Sequence, residues 1–221
     1  MSFLEARKSE AEREVFEHAA VGDGRDRMSA GFFGNGCVTS TLLSAALDDY
    51  ALRWPDDAAT ATFADFLRQS TDVFERSRQD GHFTGSSWLV SADGTRVVLM
   101  HHRKLGRWLQ PGGHADGDPD LARVALREAE EETGLVDLFV EPAIFDLDRH
   151  WIPERGSEPG HWHYDVRHVV RARGSEAFVL NEESLALAWR DIGEVAADET
   201  MDVSLRRMAG RWLARKPANF L

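Results

Sequence analysis

Cysteine is nearly absent: the chain of 221 residues holds only Cys37. A single thiol excludes an intramolecular disulfide and any multi-cysteine zinc site, and it suits a reducing compartment. Cys37 itself reads as an inert small hydrophobe. Long apolar runs are missing as well. No stretch reaches the roughly 18 residues that span a bilayer. The first twenty residues, MSFLEARKSEAEREVFEHAA, carry charge every few positions, unlike a secretory leader. Positive charge is in deficit, with 26 Lys plus Arg against 38 Asp plus Glu and a formal charge of −12. Such a balance repels phosphate backbones and anionic lipid, so neither nucleic acid nor a membrane is expected as a partner. A cytoplasmic protein is the expectation, and an anionic substrate would require cations recruited locally.

What is present describes a globular chain. Hydrophobic residues make up 43% and charged residues 29%, enough apolar surface to build a core without cross-links. Residues 3–20 read as a charged helix with a thin apolar stripe. The segment from Val21 to Ser40, with five glycines, reads as a loop or linker. Leu42, Leu43, Ala46, Leu47, Tyr50, Ala51 and Trp54 recur at helical spacing up to Pro55, and a second helix carries Phe63, Phe66, Leu67, Val73 and Phe74. From Phe83 the period changes. Segments 84–91 and 95–102, separated by Ala92-Asp93-Gly94, read as a hairpin, with further strands over 137–148, 161–172 and 185–190 and a last helix over about 202–216. This order predicts an extension over 1–40, a helical subdomain over 41–82 and a mixed α+β domain over 83–221.

The string Gly112 to Leu135, GGHADGDPDLARVALREAEEETGL, is where the sequence becomes specific. Asp118 is read as the N-cap of a helix from Pro119 to Thr133, with Gly134 as its left-handed cap. Glu128, Glu131 and Glu132 then share one helical face. A solvated acidic face, relieved by Arg127 paired to Glu131, is one reading. The other is a set of oxygen ligands for hard divalent ions.

The spacing discriminates between them. Gly113 and then Arg127-Glu128-Ala129-Glu130-Glu131-Glu132-Thr133-Gly134-Leu135 resemble the Nudix hydrolase box, Gly-x5-Glu-x7-Arg-Glu-apolar-x-Glu-Glu-x-Gly-apolar. One position departs: Pro119 stands where the early glutamate belongs, a residue that supports the loop and the box arginine in that family. The resemblance implies an α/β/α sandwich with a mixed sheet, here with an added N-terminal helical segment. It also implies hydrolysis of a diphosphate linkage, in a nucleotide or nucleotide-sugar type substrate, with Mg²⁺ or Mn²⁺. By the same resemblance Glu128, Glu131, Glu132 and the Gly113 carbonyl would hold metal, Arg127 would orient a carboxylate, and a homodimer is expected.

Around the box, Glu182 and Glu183 are candidates for the general base, beside a box glutamate. His101, His102, Arg103, Lys104 and Arg107 form a basic cluster placed to meet phosphate. His114 is a further phosphate contact. His161, His163, Asp165 and Arg167 alternate with Trp162, Tyr164 and Val166, which gives a strand one polar and one mostly apolar row; His163 and Asp165 are taken as substrate contacts. The His-x-His spacing suits zinc, but the sequence marks no third ligand. Two rival functions remain. A prenyl-diphosphate isomerase on the same scaffold would want a cysteine near the site, and Cys37 lies far from the box. A non-catalytic nucleotide-ligand sensor would have lost carboxylates that are present.

Overall fold

A computed structural model describes residues 35–103, 106–179 and 184–215. The first helix, α1 (Asn35–Arg53), begins inside the segment expected to be a loop, and Pro55 follows its end as anticipated. α2 (Ala59–Leu67) is shorter than its apolar run; Val73 and Phe74 lie beyond it in turns, yet both are buried. The expected helix over residues 3–20 lies outside the described residues.

Seven strands form one mixed sheet among the described residues. β1 (Gly81–Val90) is central. It runs parallel to β6 (His161–Ala172), from Gly81 opposite Trp162 to Val90 opposite Arg171. β5 (Leu138–Ile152) lies antiparallel on the far side of β6. β2 (Arg96–His102) follows β1 through the predicted turn, but the two strands pair only at Val90 and Val97. The expected hairpin therefore splays. Beyond that pair, β1 takes up β4 (Gly112–His114), while β2 pairs with β3 (Arg107–Leu109) and β7 (Ser184–Asp191).

Side chains alternate across a strand, so the sheet has two distinct faces. Against one lies α3 (Leu121–Thr133), with α1 and α2; Leu47, Tyr50, Phe63 and Phe66 join Phe83, Leu121, Val124, Tyr164 and Val166 in one apolar cluster. Residues 41–82 thus share a core with the sheet. Against the other face α4 (Ile192–Ala197) and α5 (Val203–Leu213) cover Trp88, Val90, Leu99, Phe145 and Val169. This is the expected mixed sheet between helical layers.

Candidate active site on the box helix

The α3 helix begins two residues later than the sequence suggests. Asp120, not Asp118, is its N-cap and accepts a bond from the Arg123 N–H at 3.1 Å. Pro119 precedes the cap, and Asp118 instead accepts from Arg123 Nη2 at 2.6 Å. At the other end Gly134 takes φ of 66°, the left-handed conformation that lets its N–H bond the Glu130 carbonyl.

Between these caps, Glu128, Glu131 and Glu132 line one side of α3, and β4 closes over two of them. The Gly112 N–H donates to Glu132 Oε2 at 2.9 Å, and Glu132 is buried. Gly113 comes so close to the Glu128 carboxylate that a Cβ there would collide with it. A side chain there would have to push that carboxylate aside. Arg127 does not pair with Glu131 as expected. Its Nη2 donates to Glu128 Oε1 at 2.9 Å and to the His114 carbonyl at 3.0 Å, tying the helix to the strand. Burial pushes the Glu128 carboxyl above its ordinary value; Arg127 opposes the shift and the Glu131 charge adds to it. Oxygen donors alone suit a hard divalent ion, and the approach of Gly113 to Glu128 and the bond from Gly112 to Glu132 set two of them beside β4.

The remaining predicted residues are distributed unevenly. His114 pairs with Thr84 across β4 and β1, so it lies on the face of the sheet opposite to Gly113 and α3. There it joins His82, His161 and His163. Its ring centroid is 5.1 Å from that of His82 and 5.2 Å from that of His163, which in turn is 5.4 Å from His150. Burial, then the neighbouring rings, lowers His163 to about 2; burial, then Arg76 and His82, lowers His114 to about 4. Both rings are neutral at pH 7. Sequence reasoning missed His82 and His150, since neither has any fixed spacing to His161-x-His163.

The polar row of β6 is as expected, but its lower half is occupied by protein. Asp165 accepts from Thr84 at 2.9 Å, Ser86 at 2.7 Å and Arg167 Nε at 2.7 Å, all buried. Arg167 also meets Asp146 and Asp148, and Asp146 is shared with Arg207 and Arg211 of α5. Arg207 and Arg211 also line a groove of about 560 Å³ with Trp54, Asp57 and Arg149, but Asp57, Asp146 and Asp148 engage them. In the basic cluster, His101 and His102 end β2 opposite Trp108 and Arg107, and Arg107 lies 3.7 Å from Asp202. Arg103 follows in the turn. Lys104, Glu182 and Glu183 lie outside the described residues.

The fold is a mixed sheet between helical layers, with a capped helix whose Glu128 and Glu132 meet a glycine strand. The chain belongs to the NUDIX family, whose NUDIX domain model matches residues 82–211. Among curated proteins it is similar to "Putative 8-oxo-dGTP diphosphatase 3" of Mycobacterium tuberculosis, 32% identical over 135 residues, 57% of each chain. It is also similar to "Nucleoside diphosphate-linked moiety X motif 6" of Homo sapiens, 25% identical over 58% of this chain and 40% of that one. The chain therefore spans about half the length of these curated relatives. Among solved structures, a Nudix hydrolase from M. smegmatis, RenU, superposes with a TM-score of 0.47 at 21% identity, over 63% of this chain and 91% of that chain.

Proposed function

We propose that the protein is a metal-dependent pyrophosphohydrolase that cleaves a diphosphate linkage in a nucleotide or nucleotide-sugar type substrate. The observation that carries this reading is the seating of the box helix against the glycine strand: Glu132 accepts from the Gly112 N–H, and a side chain on Gly113 would displace the Glu128 carboxylate. The relatives' names as a diphosphatase and a nucleoside diphosphate-linked motif protein support the substrate class.

In this reading the three glutamates and the Gly113 carbonyl hold Mg²⁺ or Mn²⁺, which neutralises phosphate charge and lowers the pKa of bound water. Arg127 keeps the Glu128 carboxylate and the β4 carbonyl at fixed separation. Glu132, held by the Gly112 N–H, fixes the glycine strand to the helix. The basic end of β2 and β3 meets substrate phosphate, with Lys104. Glu182, Glu183 or a box glutamate takes the water proton. Asp165, with its oxygens engaged by Thr84, Ser86 and Arg167, positions its neighbours instead of touching substrate. The sequence segments 1–40, 41–82 and 83–221, the last two packed as one cooperative unit, and a homodimeric state belong to the same proposal.

The test is phosphate release over a panel of nucleoside di- and triphosphates and diphosphate conjugates, with Mg²⁺ and with chelator. Glu132→Gln preserves shape and an acceptor for Gly112 while removing one negative charge. Turnover should fall by on the order of 10² to 10³, as when one preorganised electrostatic contact is lost, while the metal-free melting temperature holds or rises slightly. Unchanged turnover, with an unchanged Mg²⁺-induced shift in melting temperature, returns the helix to a solvated acidic face.

A further inference from the structure

Three histidines from two strands meet on the face of the sheet turned away from α3. β1 and β6 are parallel with His82 opposite His163, and the two-residue period of β6 adds His161 on the same side. One ring nitrogen from each lies within 4.8 Å of the others. Their tautomers are set from outside. His161 Nδ1 is 2.8 Å from the Pro159 carbonyl and His82 Nδ1 is 3.4 Å from the Arg78 carbonyl. A carbonyl only accepts, so each Nδ1 carries the proton and each Nε2 presents a lone pair inward. That is how metal-binding imidazoles are oriented, with the far nitrogen donating to a backbone oxygen.

The inner nitrogens are poorly used by the protein. His161 Nε2 and His163 Nε2 face each other at 3.1 Å, near the roughly 3.3 Å that separates two ligands on a tetrahedral ion with bonds of about 2.0–2.1 Å. His82 is 1% exposed and its Nε2 has no hydrogen-bond partner among the described residues. A neutral His161–His163 hydrogen bond would leave that buried atom unsatisfied, which native structures rarely tolerate. A cation accepting all three lone pairs resolves it.

We propose that His82, His161 and His163 bind a borderline divalent transition ion of the zinc class. The site is separate from the carboxylate set of α3, because the two lie on opposite faces of the sheet and differ in donor. Three imidazoles favour zinc-class ions; oxygen-only carboxylates favour Mg²⁺ or Mn²⁺. Three protein nitrogens leave a tetrahedral ion one open position, and His114 is the nearest further imidazole.

The experiment uses the full chain without a histidine tag, stripped with chelator and returned to buffer with excess Mg²⁺, then titrated with Zn²⁺ against a chromophoric chelator. The expected result is about one tightly held Zn²⁺ per chain that Mg²⁺ does not displace, and at least a ~10-fold loss of affinity in folded His82→Gln and His161→Gln. Glu128→Gln should keep the Zn²⁺. X-ray absorption on the unmodified protein keeps the test decisive where a variant fails to fold, with about three imidazole nitrogens expected at about 2.0 Å. Absence of tight Zn²⁺, a shell of oxygens alone, or affinity lost in Glu128→Gln and kept in folded His82→Gln overturns the site.

Discussion

His168 shows how a single buried base couples this fold to pH. Burial lowers its ring from the usual 6.5 to about 4, with the Glu141 carbonyl on Nδ1 opposing the shift. Because the folded value lies below the unfolded one, the unfolded chain takes the proton first as pH falls. Stability from this group is therefore complete above pH ~6.5 and declines through about 4, by on the order of 3 kcal/mol. His114 and His163, lowered for the same primary reason, act in the same direction. Urea midpoints measured from pH 7.5 to 4 should fall steadily, and His168→Gln, which keeps a donor without the titration, should fall less steeply. Equal slopes would contradict the assignment. Ion pairs of very different weight also sit at this scale. Arg107 and Asp202, largely solvated at 3.7 Å, contribute little. Arg167, 2% exposed, compensates Asp146 and Asp165 where water cannot.

At the scale of the element, α3 is defined by its ends and by what closes over its acidic side. The cap falls on Asp120, one residue past Pro119, and Asp120 satisfies the Arg123 N–H. Asp120→Ala should lower stability by about 1 kcal/mol in a thermal melt, as loss of an N-cap acceptor does. An effect of a few tenths would return the cap to Asp118. The three carboxylates repel one another in an isolated helix. They are tolerated because Arg127 and the Gly112 N–H each hold one, and Ala125 and Ala129 on the adjoining side are buried. The α3 face is thus organised by β4, a three-residue strand that periodicity does not reveal.

For the whole molecule, α1 and α2 decide whether residues 41–82 behave as a separate unit. Phe63 and Phe66 stack on Phe83 and Tyr164, with ring centroids between 3.7 and 6.1 Å, inside the cluster that also seats α3. Phe63→Ala should therefore cost about 3–5 kcal/mol and lower one cooperative transition, not split it in two. Two resolved transitions by calorimetry would support an independent helical unit. Arg211 extends the same continuity, bonding Tyr50 of α1, Asp57 and Asp146 of β5 from α5. No described helix is long and apolar enough to cross a membrane. The box helix was legible without coordinates, because the cap at Gly134 and the shared face of Glu128, Glu131 and Glu132 depend on residues no more than a few positions apart. The alternating row from His161 to Arg167 was legible for the same reason. Tertiary structure alone decided that β1 leaves β2 after one pair, that Arg167 is neutralised by two carboxylates of β5 as well as one of its own strand, and that His82 completes a triad with His161 and His163. Each depends on which strands pair, β1 with β6 and with β4 and β5 with β6, contacts that local periodicity does not encode.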